Sequence, residues 1–335
     1  MLGALFSMTK TILVTGGAGY VGSHACKALA AAGYTPVSFD NLSNGHEWAV
    51  KWGPLVVGDV LNPDDLDAAF AAHKPVAVMH FAALIEVGES VKYPEKFHRT
   101  NVTGSFNVLK AMGRANVDRI VFSSTCAVHG DVGGALIKES SPIDPISPYA
   151  KTKAEVEGLL ADFSLSDGLK AVALRYFNAS GADPDGELGE AHDPESHLIP
   201  IACQAALGQR DGMFIYGDDY DTPDGTCLRD YIHVADLAEA HVKALKRLDG
   251  AVPGVEAFCL GGGVGTSVRE VLDCVKKISG VDFSVKLQAR RPGDAPSLVA
   301  DLSKARTVLG WTPSHSDLTT IIKTAWAWHQ KHHHH

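Results

Sequence analysis

Residues 11–23 read TILVTGGAGYVGS, a short apolar, largely β-branched run that breaks at once into glycines. Its length and composition predict a strand buried on both faces. Small and apolar residues then recur at helical spacing through HACKALAAAG to Gly33, which serves as a helix stop. The stretch therefore predicts strand, tight turn and helix. Gly17, Gly19 and Gly22 stand in the spacing G-x-G-x-x-G, and Gly16, Gly19 and Gly22 in the related G-x-x-G-x-x-G. Such glycines meet three demands: a turn at positive φ, backbone that touches a pyrophosphate, and a helix packed closely on its strand. The helix N-terminus, at Tyr20, Val21 and Gly22, then offers amides and a positive dipole end to phosphate. A purely structural turn would show the same glycines, so the context decides. The next strand, TPVSFD, ends in Asp40, followed by Asn41 in DNLSNG with no arginine. A carboxylate there accepts hydrogen bonds from an adenosine ribose and repels the extra phosphate of NADP, so the expected cofactor is NAD.

Working outward, apolar strands keep alternating with helical segments: PLVVGDV, DDLDAAFAAH, PVAVMHFAAL, NVTGSFNVLKAMGRAN, DRIVFSS and LKAVALRYFN. This pattern predicts an α/β fold, a Rossmann-type doubly wound parallel sheet with a smaller C-terminal α/β lobe. Ligands of such sheets lie at the carboxyl ends of the strands, where Asp59 and Val60, Phe81 and Ala82, Ser123 to Thr125, and Tyr176 to Asn178 fall. The expected organisation is a dinucleotide-binding domain over 8–180, with a possible return of the chain around 230–245, and a substrate-binding domain over 181–330. Residues 1–7 read as an extension before Met8 and residues 332–335 as a tag.

The 335 residues carry a net charge of -9, which argues against nucleic-acid binding because phosphate backbones are held by clustered Lys and Arg. No apolar run approaches membrane-spanning length and the opening MLGALFS lacks the basic flank of a signal peptide, so a cytoplasmic protein is expected. The six cysteines form no C-x-x-C pair, which fits reduced thiols. His192, Asp193, Glu195 and His197 follow no standard metal spacing, so no metal is expected.

SPYAKTK, residues 147–153, places Tyr149 and Lys153 one helical turn apart, with Ser147 as N-cap and Pro148 at the first helical position. A phenol beside an ammonium suits general base chemistry, although such pairs are also common on helix surfaces.

In order, TGGAGYVGS, DNLSNG, GDV, HFAAL with VGES, NVTGS, FSST, SPYAKTK, LRYFNASGA, RDYIHVADLA and RRPGDAP resemble the extended short-chain dehydrogenase/reductase family over about residues 9 to 330, and within it the UDP-glucose 4-epimerase branch. The resemblance implies an isomerase that interconverts UDP-glucose and UDP-galactose by transient oxidation at sugar carbon 4, using NAD, and a homodimer. It implies Tyr149 as base, with Lys153 and Thr125 completing the catalytic set. Asn101 joins the cofactor residues, while Asn178, His197, Leu198, Phe214, Tyr216, Arg229, Arg291 and Asp294 are implied at the UDP-sugar, the two arginines on its diphosphate. Ile85 stands where many relatives have Lys, and His129 replaces a common Tyr. Leu298, intermediate in size, falls at the position that gates the pocket near sugar carbon 2, which leaves 4-epimerases of other UDP-sugars open. A 4,6-dehydratase would carry Asp-Glu after the active Thr, and Cys126-Ala127 stands there instead. A silent NAD-sensing protein of the same fold is disfavoured by the intact Tyr149, Lys153 and Thr125.

Overall fold

The computed structural model describes residues 10–291 and 294–332; the extension at 1–7, the start at Met8 and histidines 333–335 lie outside the described residues. The strands in chain order are Thr11–Thr15 (β1), Thr35–Asp40 (β2), Leu55–Val57 (β3), Ala77–His80 (β4), Arg119–Thr125 (β5), Lys170–Tyr176 (β6), Asn178–Ser180 (β7), Met213–Tyr216 (β8), Leu228–His233 (β9), Gly254–Leu260 (β10), Gly265–Ser267 (β11), Val285–Gln288 (β12) and Ser297–Leu298 (β13). The main sheet runs β10-β6-β5-β4-β1-β2-β3 with every neighbouring pair parallel. This is the doubly wound order expected from the alternating pattern, extended by β10.

The helices that cover it follow from the same periodicities. Tyr20–Ala31 (α1) and Pro63–His73 (α2) follow β1 and β3. Val87–Lys92 (α3) and the short Pro94–Phe97 (α4) lead through a π-helical stretch, His98–Thr103, into Gly104–Arg114 (α5). Pro148–Asp167 (α6), Leu198–Ala206 (α7), Val234–Arg247 (α8), Val268–Ser279 (α9), Ser303–Thr307 (α10) and Leu318–His332 (α11) complete the set among the described residues. Alternate residues of each strand enter opposite cores. Ile12, Val14 and Met79 pack with Leu29 of α1 and Leu237 of α8, whereas Leu13 and Val78 pack with Phe70 of α2, Leu109 of α5 and Leu160 of α6. The chain thus comes back to the main sheet through α8 and β10, which pairs with β6 from Gly254 to Leu260.

A second core unites Ile199 of α7, Val271 of α9 and Ile321 of α11 beside the two-stranded parallel pair β8 and β12. Between the lobes, β9 pairs in parallel with β7 and β13 and antiparallel with β11. The cap of α9 is Ser267, in a capping box with Glu270. Ser267 is also the last residue of β11, paired to Leu228, so the strand passes directly into the helix.

Candidate active site

The strand order reverses between β1 and β4, and a cavity of about 460 Å³ opens there at the carboxyl ends of the strands. The Gly-rich turn forms one wall. Gly16 has φ +73 and a Cβ on it would lie 2.7 Å from the amide nitrogen of Ala82. On Gly22 a Cβ would come within 2.1 Å of the Gly16 carbonyl oxygen. Both positions therefore need glycine, and Gly19 caps α1 without a side chain, so the first amides of the helix have no side-chain partner at this wall of the cavity. Tyr20 and Val21 line the same wall. Asp40, 8% exposed, ends β2 with Oδ2 accepting from the Ala18 amide at 3.0 Å and Oδ1 from Leu42 at 2.9 Å. Burial raises its carboxyl above the usual range, opposed by those two amides. Asn41 donates to Asp59 Oδ2 at 3.3 Å, and Asp59, Val60, Phe81 and Ala82 continue the wall.

The opposite side is built by β5 and α6. Ser147 accepts from the Ala150 amide at 3.1 Å and Pro148 opens the helix, as the residue types require. Tyr149 and Lys153 consequently face the cavity together, with Lys153 Nζ 6.0 Å from the centre of the Tyr149 ring. Lys153 donates to the Ser123 carbonyl at 2.8 Å and lies 5.0 Å over Phe122. Thr125, the last residue of β5, lies near the Tyr149 hydroxyl and favours its phenolate, while its own Oγ1 accepts from the Ala127 amide at 3.2 Å. Ser123 also meets the Tyr176 hydroxyl at 2.6 Å. Burial pushes the Tyr149 phenol well above its ordinary 10 and lowers the Lys153 ammonium to about 7.

Behind these groups lies a buried scaffold. Ser124 donates to Glu157 at 2.6 Å, Glu157 holds Arg175, and Arg175 meets His129 Nε2 at 3.2 Å, a chain that links His129, off the cavity wall, to the end of β5. Asn101, expected on the cofactor, does not line the cavity. Its amide instead joins Leu84 at N and O (2.8 and 3.0 Å) to Thr152 Oγ1 (3.0 Å), bracing the loop after β4 against α6. Below the β4 end, neutral His80 bridges Thr15 at 2.6 Å and Ser105 at 2.8 Å, its imidazole lowered to about 3 by burial.

On the side of the second lobe, Asn178, His197, Arg229 and Leu298 line the cavity, as does Ile85. Arg229 donates to the carbonyls of Leu228 and Ala295 and lies 3.4 Å from Asp294. Asp294, Arg291, Tyr216, Phe214 and Leu198 are not on the cavity wall. Arg291 stacks 4.2 Å over the Tyr216 ring and stands 3.8 Å from Asp294, while Phe214 and Tyr216 are 6.3 Å apart, a cluster joined to the cavity through Arg229. Pro292 and Gly293 of RRPGD lie outside the described residues. Leu198 begins α7 and packs on the second core.

Two acids arrive that the linear reading did not name. Glu86 and Glu190 line the cavity beside His192. Glu190, His192, Glu195 and His197 each offer an oxygen or nitrogen within 4.8 Å of the others, whereas Asp193 is not part of the group. The alternation E-x-H-x-x-E-x-H over 190–197 was the available signal.

Residues 12–259 match the NAD dependent epimerase/dehydratase family. The chain belongs to that family. The UDP-glucose 4-epimerase of Rhizobium meliloti (strain 1021) is 52% identical over 322 residues, 96% of this chain and 98% of the relative. The crystal structure of UDP-glucose 4-epimerase from Brucella ovis in complex with NAD is 50% identical and superposes with a TM-score of 0.93, covering 95% of this chain and 98% of that one. A UDP-glucose 4-epimerase from Stenotrophomonas maltophila, with bound NAD and formylated UDP-arabinopyranose, is 38% identical with a TM-score of 0.93 over 97% of this chain and 99% of its own.

Proposed function

We infer that the chain is an NAD-dependent isomerase that interconverts UDP-glucose and UDP-galactose at sugar carbon 4. The observation that carries this reading is one cavity in which Tyr149, Lys153 and Thr125 face a glycine cradle that no Cβ could enter. The cradle fits NAD: Gly16 and Gly22 clear the approach of a pyrophosphate, α1 presents uncapped amides, and buried Asp40 stands at the ribose position. NAD, when bound, supplies the acceptor and donor for the hydrogen of carbon 4.

The residues of the chain do the rest. Tyr149 takes the proton of the 4-hydroxyl as the 4-keto sugar forms and returns it afterwards. Thr125, which lines the same cavity beside Tyr149, holds the same sugar oxygen. Lys153, fixed by the Ser123 carbonyl, keeps a cation available to the phenolate. Arg229 meets the diphosphate of the UDP-sugar, and the cluster of Arg291, Asp294, Phe214 and Tyr216 extends that contact toward the nucleotide. Leu298 borders the sugar and sets how much bulk carbon 2 can carry, which keeps N-acetylated UDP-sugars and UDP-pentoses as second substrates to test.

We further propose a cofactor domain over 8–180, rejoined by α8 and β10, with a UDP-sugar domain over 181–330. A homodimer in the cytoplasm completes the proposal. No helix among the described residues is long and apolar enough to cross a membrane, and all six cysteines are unpaired. The test is incubation of the purified chain with UDP-galactose, then a panel of UDP-sugars, with products separated and weighed by mass. UDP-glucose without added reductant supports the reading. Bound NAD with every sugar returned unchanged refutes it in favour of a silent sensor, and sedimentation decides the dimer.

A further inference from the structure

We propose that Glu190 and Glu195 hold His192 and His197 as a fixed imidazolium pair that seats a diphosphate in the cavity. The proposal rests on the reading of this cavity as the site of two diphosphate-bearing ligands. His197 Nδ1 stands 2.8 Å from Glu190 Oε1 and 3.2 Å from Glu195 Oε1. His192 Nδ1 stands 3.1 Å from the same Glu190 oxygen and 3.8 Å from Glu195 Oε2. The two carboxylates are 4% and 8% exposed, so their charges need compensation inside the cluster.

The amides of Ser196 and His197 donate to Glu195 Oε1 at 2.8 Å each, but the surrounding elements supply no opposite charge. Tyr20 of α1 has its phenol raised by burial, Cys203 of α7 is pushed up to about 12, and His329 of α11 is lowered, so all three are uncharged near neutrality. Arg210 donates to the Glu195 backbone carbonyl and to Gln204 rather than to either carboxylate. The compensating charges are therefore the two imidazoles, and the carboxylates raise both, His197 to about 10.

Protons fit the spacing better than a metal. Ligand atoms around a tetrahedral ion with bonds of about 2.1 Å stand roughly 3.4 Å apart, whereas three of the N to O separations here are 2.8, 3.1 and 3.2 Å, hydrogen-bond lengths. With both Nδ1 atoms turned to glutamate, the remaining ring edges belong to residues that line the cavity, and His197 is half-exposed there. An imidazolium in that position is a charge-assisted donor to phosphate. The wall also carries Arg229 and Lys153 against Glu86, Asp59 and Asp40, and the cluster, two imidazoliums on two carboxylates, adds cationic donors to it without adding net charge.

The test measures UDP affinity by calorimetry on the NAD-loaded protein from pH 6 to pH 9, with NAD retention after desalting over the same range. Wild type is expected to lose less affinity than the variant below as pH rises across this window. Glu190→Gln removes one counter-charge, so the histidines return toward their ordinary 6.5 and affinity falls about tenfold as pH rises. His197→Gln binds more weakly at every pH with no added slope, and serves if Glu190→Gln does not fold. A slope in UDP affinity assigns the seat to the substrate's diphosphate, and one in NAD retention assigns it to the cofactor's. A Glu190→Gln profile parallel to wild type in both arms, or His197→Gln indistinguishable from wild type, overturns the proposal. So does one equivalent of tightly held zinc found by elemental analysis. Failure of wild type to bind UDP would instead defeat the epimerase reading.

Discussion

Replacing Lys153 by methionine isolates the ammonium from its packing, because the thioether can keep the contact with Phe122 while the charge is lost. Burial alone drives the Tyr149 phenol up and Lys153 down to about 7, so desolvation works against a base at this site. Bringing a phenol from its ordinary value to neutrality takes about 4 kcal/mol of preferential stabilisation of the phenolate. Lys153 Nζ is 6.0 Å from the Tyr149 ring centre. Two unit charges about 6 Å apart at an effective dielectric of about 20 interact by roughly 3 kcal/mol, close to two pH units. A phenolate would in turn keep the ammonium charged, so the two titrate as a pair. The expected result is turnover of UDP-galactose roughly 100-fold below wild type at pH 7.5, recovering as pH rises, with the profile displaced to alkaline pH by about two units. Initial rates between pH 6 and 10, on protein whose NAD content has been measured, provide the check. A uniform loss with the wild-type pH shape would refute the electrostatic role of Lys153 and leave only a structural one.

Tyr149→Phe should lower turnover by about 100- to 10,000-fold while NAD stays bound, the range for losing a positioned base; near-normal rates would remove Tyr149 from the chemistry. Asp40→Ala should relax discrimination against NADP by roughly 100-fold, since a carboxylate about 5 Å from an added phosphate at an effective dielectric of about 20 is worth about 3 kcal/mol. Competitive loading with the two cofactors measures this, and an unchanged preference would refute it. Acid should destabilise the fold through four buried neutral histidines: His80, lowered to about 3, and His24, His233 and His241, each lowered to about 4. Their folded values lie below the unfolded one, so between these limits the unfolded chain binds more protons and stability falls as pH drops below about 6.5. At pH 5 each contributes roughly 2 kcal/mol of loss; equal denaturation midpoints at pH 7 and pH 5 would contradict it.

The first half of the molecule was legible because its devices are local. The cradle from Gly16 to Gly22 and the helix start at Ser147 and Pro148 each depend on a few consecutive residues, so spacing alone describes them. Asn101 shows the limit: its sequence position pointed to the cofactor, yet its amide is consumed by Leu84 and Thr152, a fact that appears only when α6 is set beside the loop after β4. In the second lobe the same difficulty grows. The relation of Glu190 to His197, or of Arg291 to Tyr216 and Asp294, is made by loops whose fold no period dictates. Ser267 ends β11 and caps α9 at once, a join that is made by pairing with a distant strand.

The strip that bears Glu190 is held from an unexpected quarter. Trp328, near the end of α11, donates its indole N–H to the Glu190 carbonyl at 3.0 Å, and its ring lies so close over Gly189 that a Cβ there would be 2.2 Å away. The last helix is thus a clamp on a wall of the cavity that it does not itself line. An insertion that shifts this helix by one residue would be felt as altered ligand affinity. Likewise, enlarging residue 189 would be remedied only by shrinking residue 328.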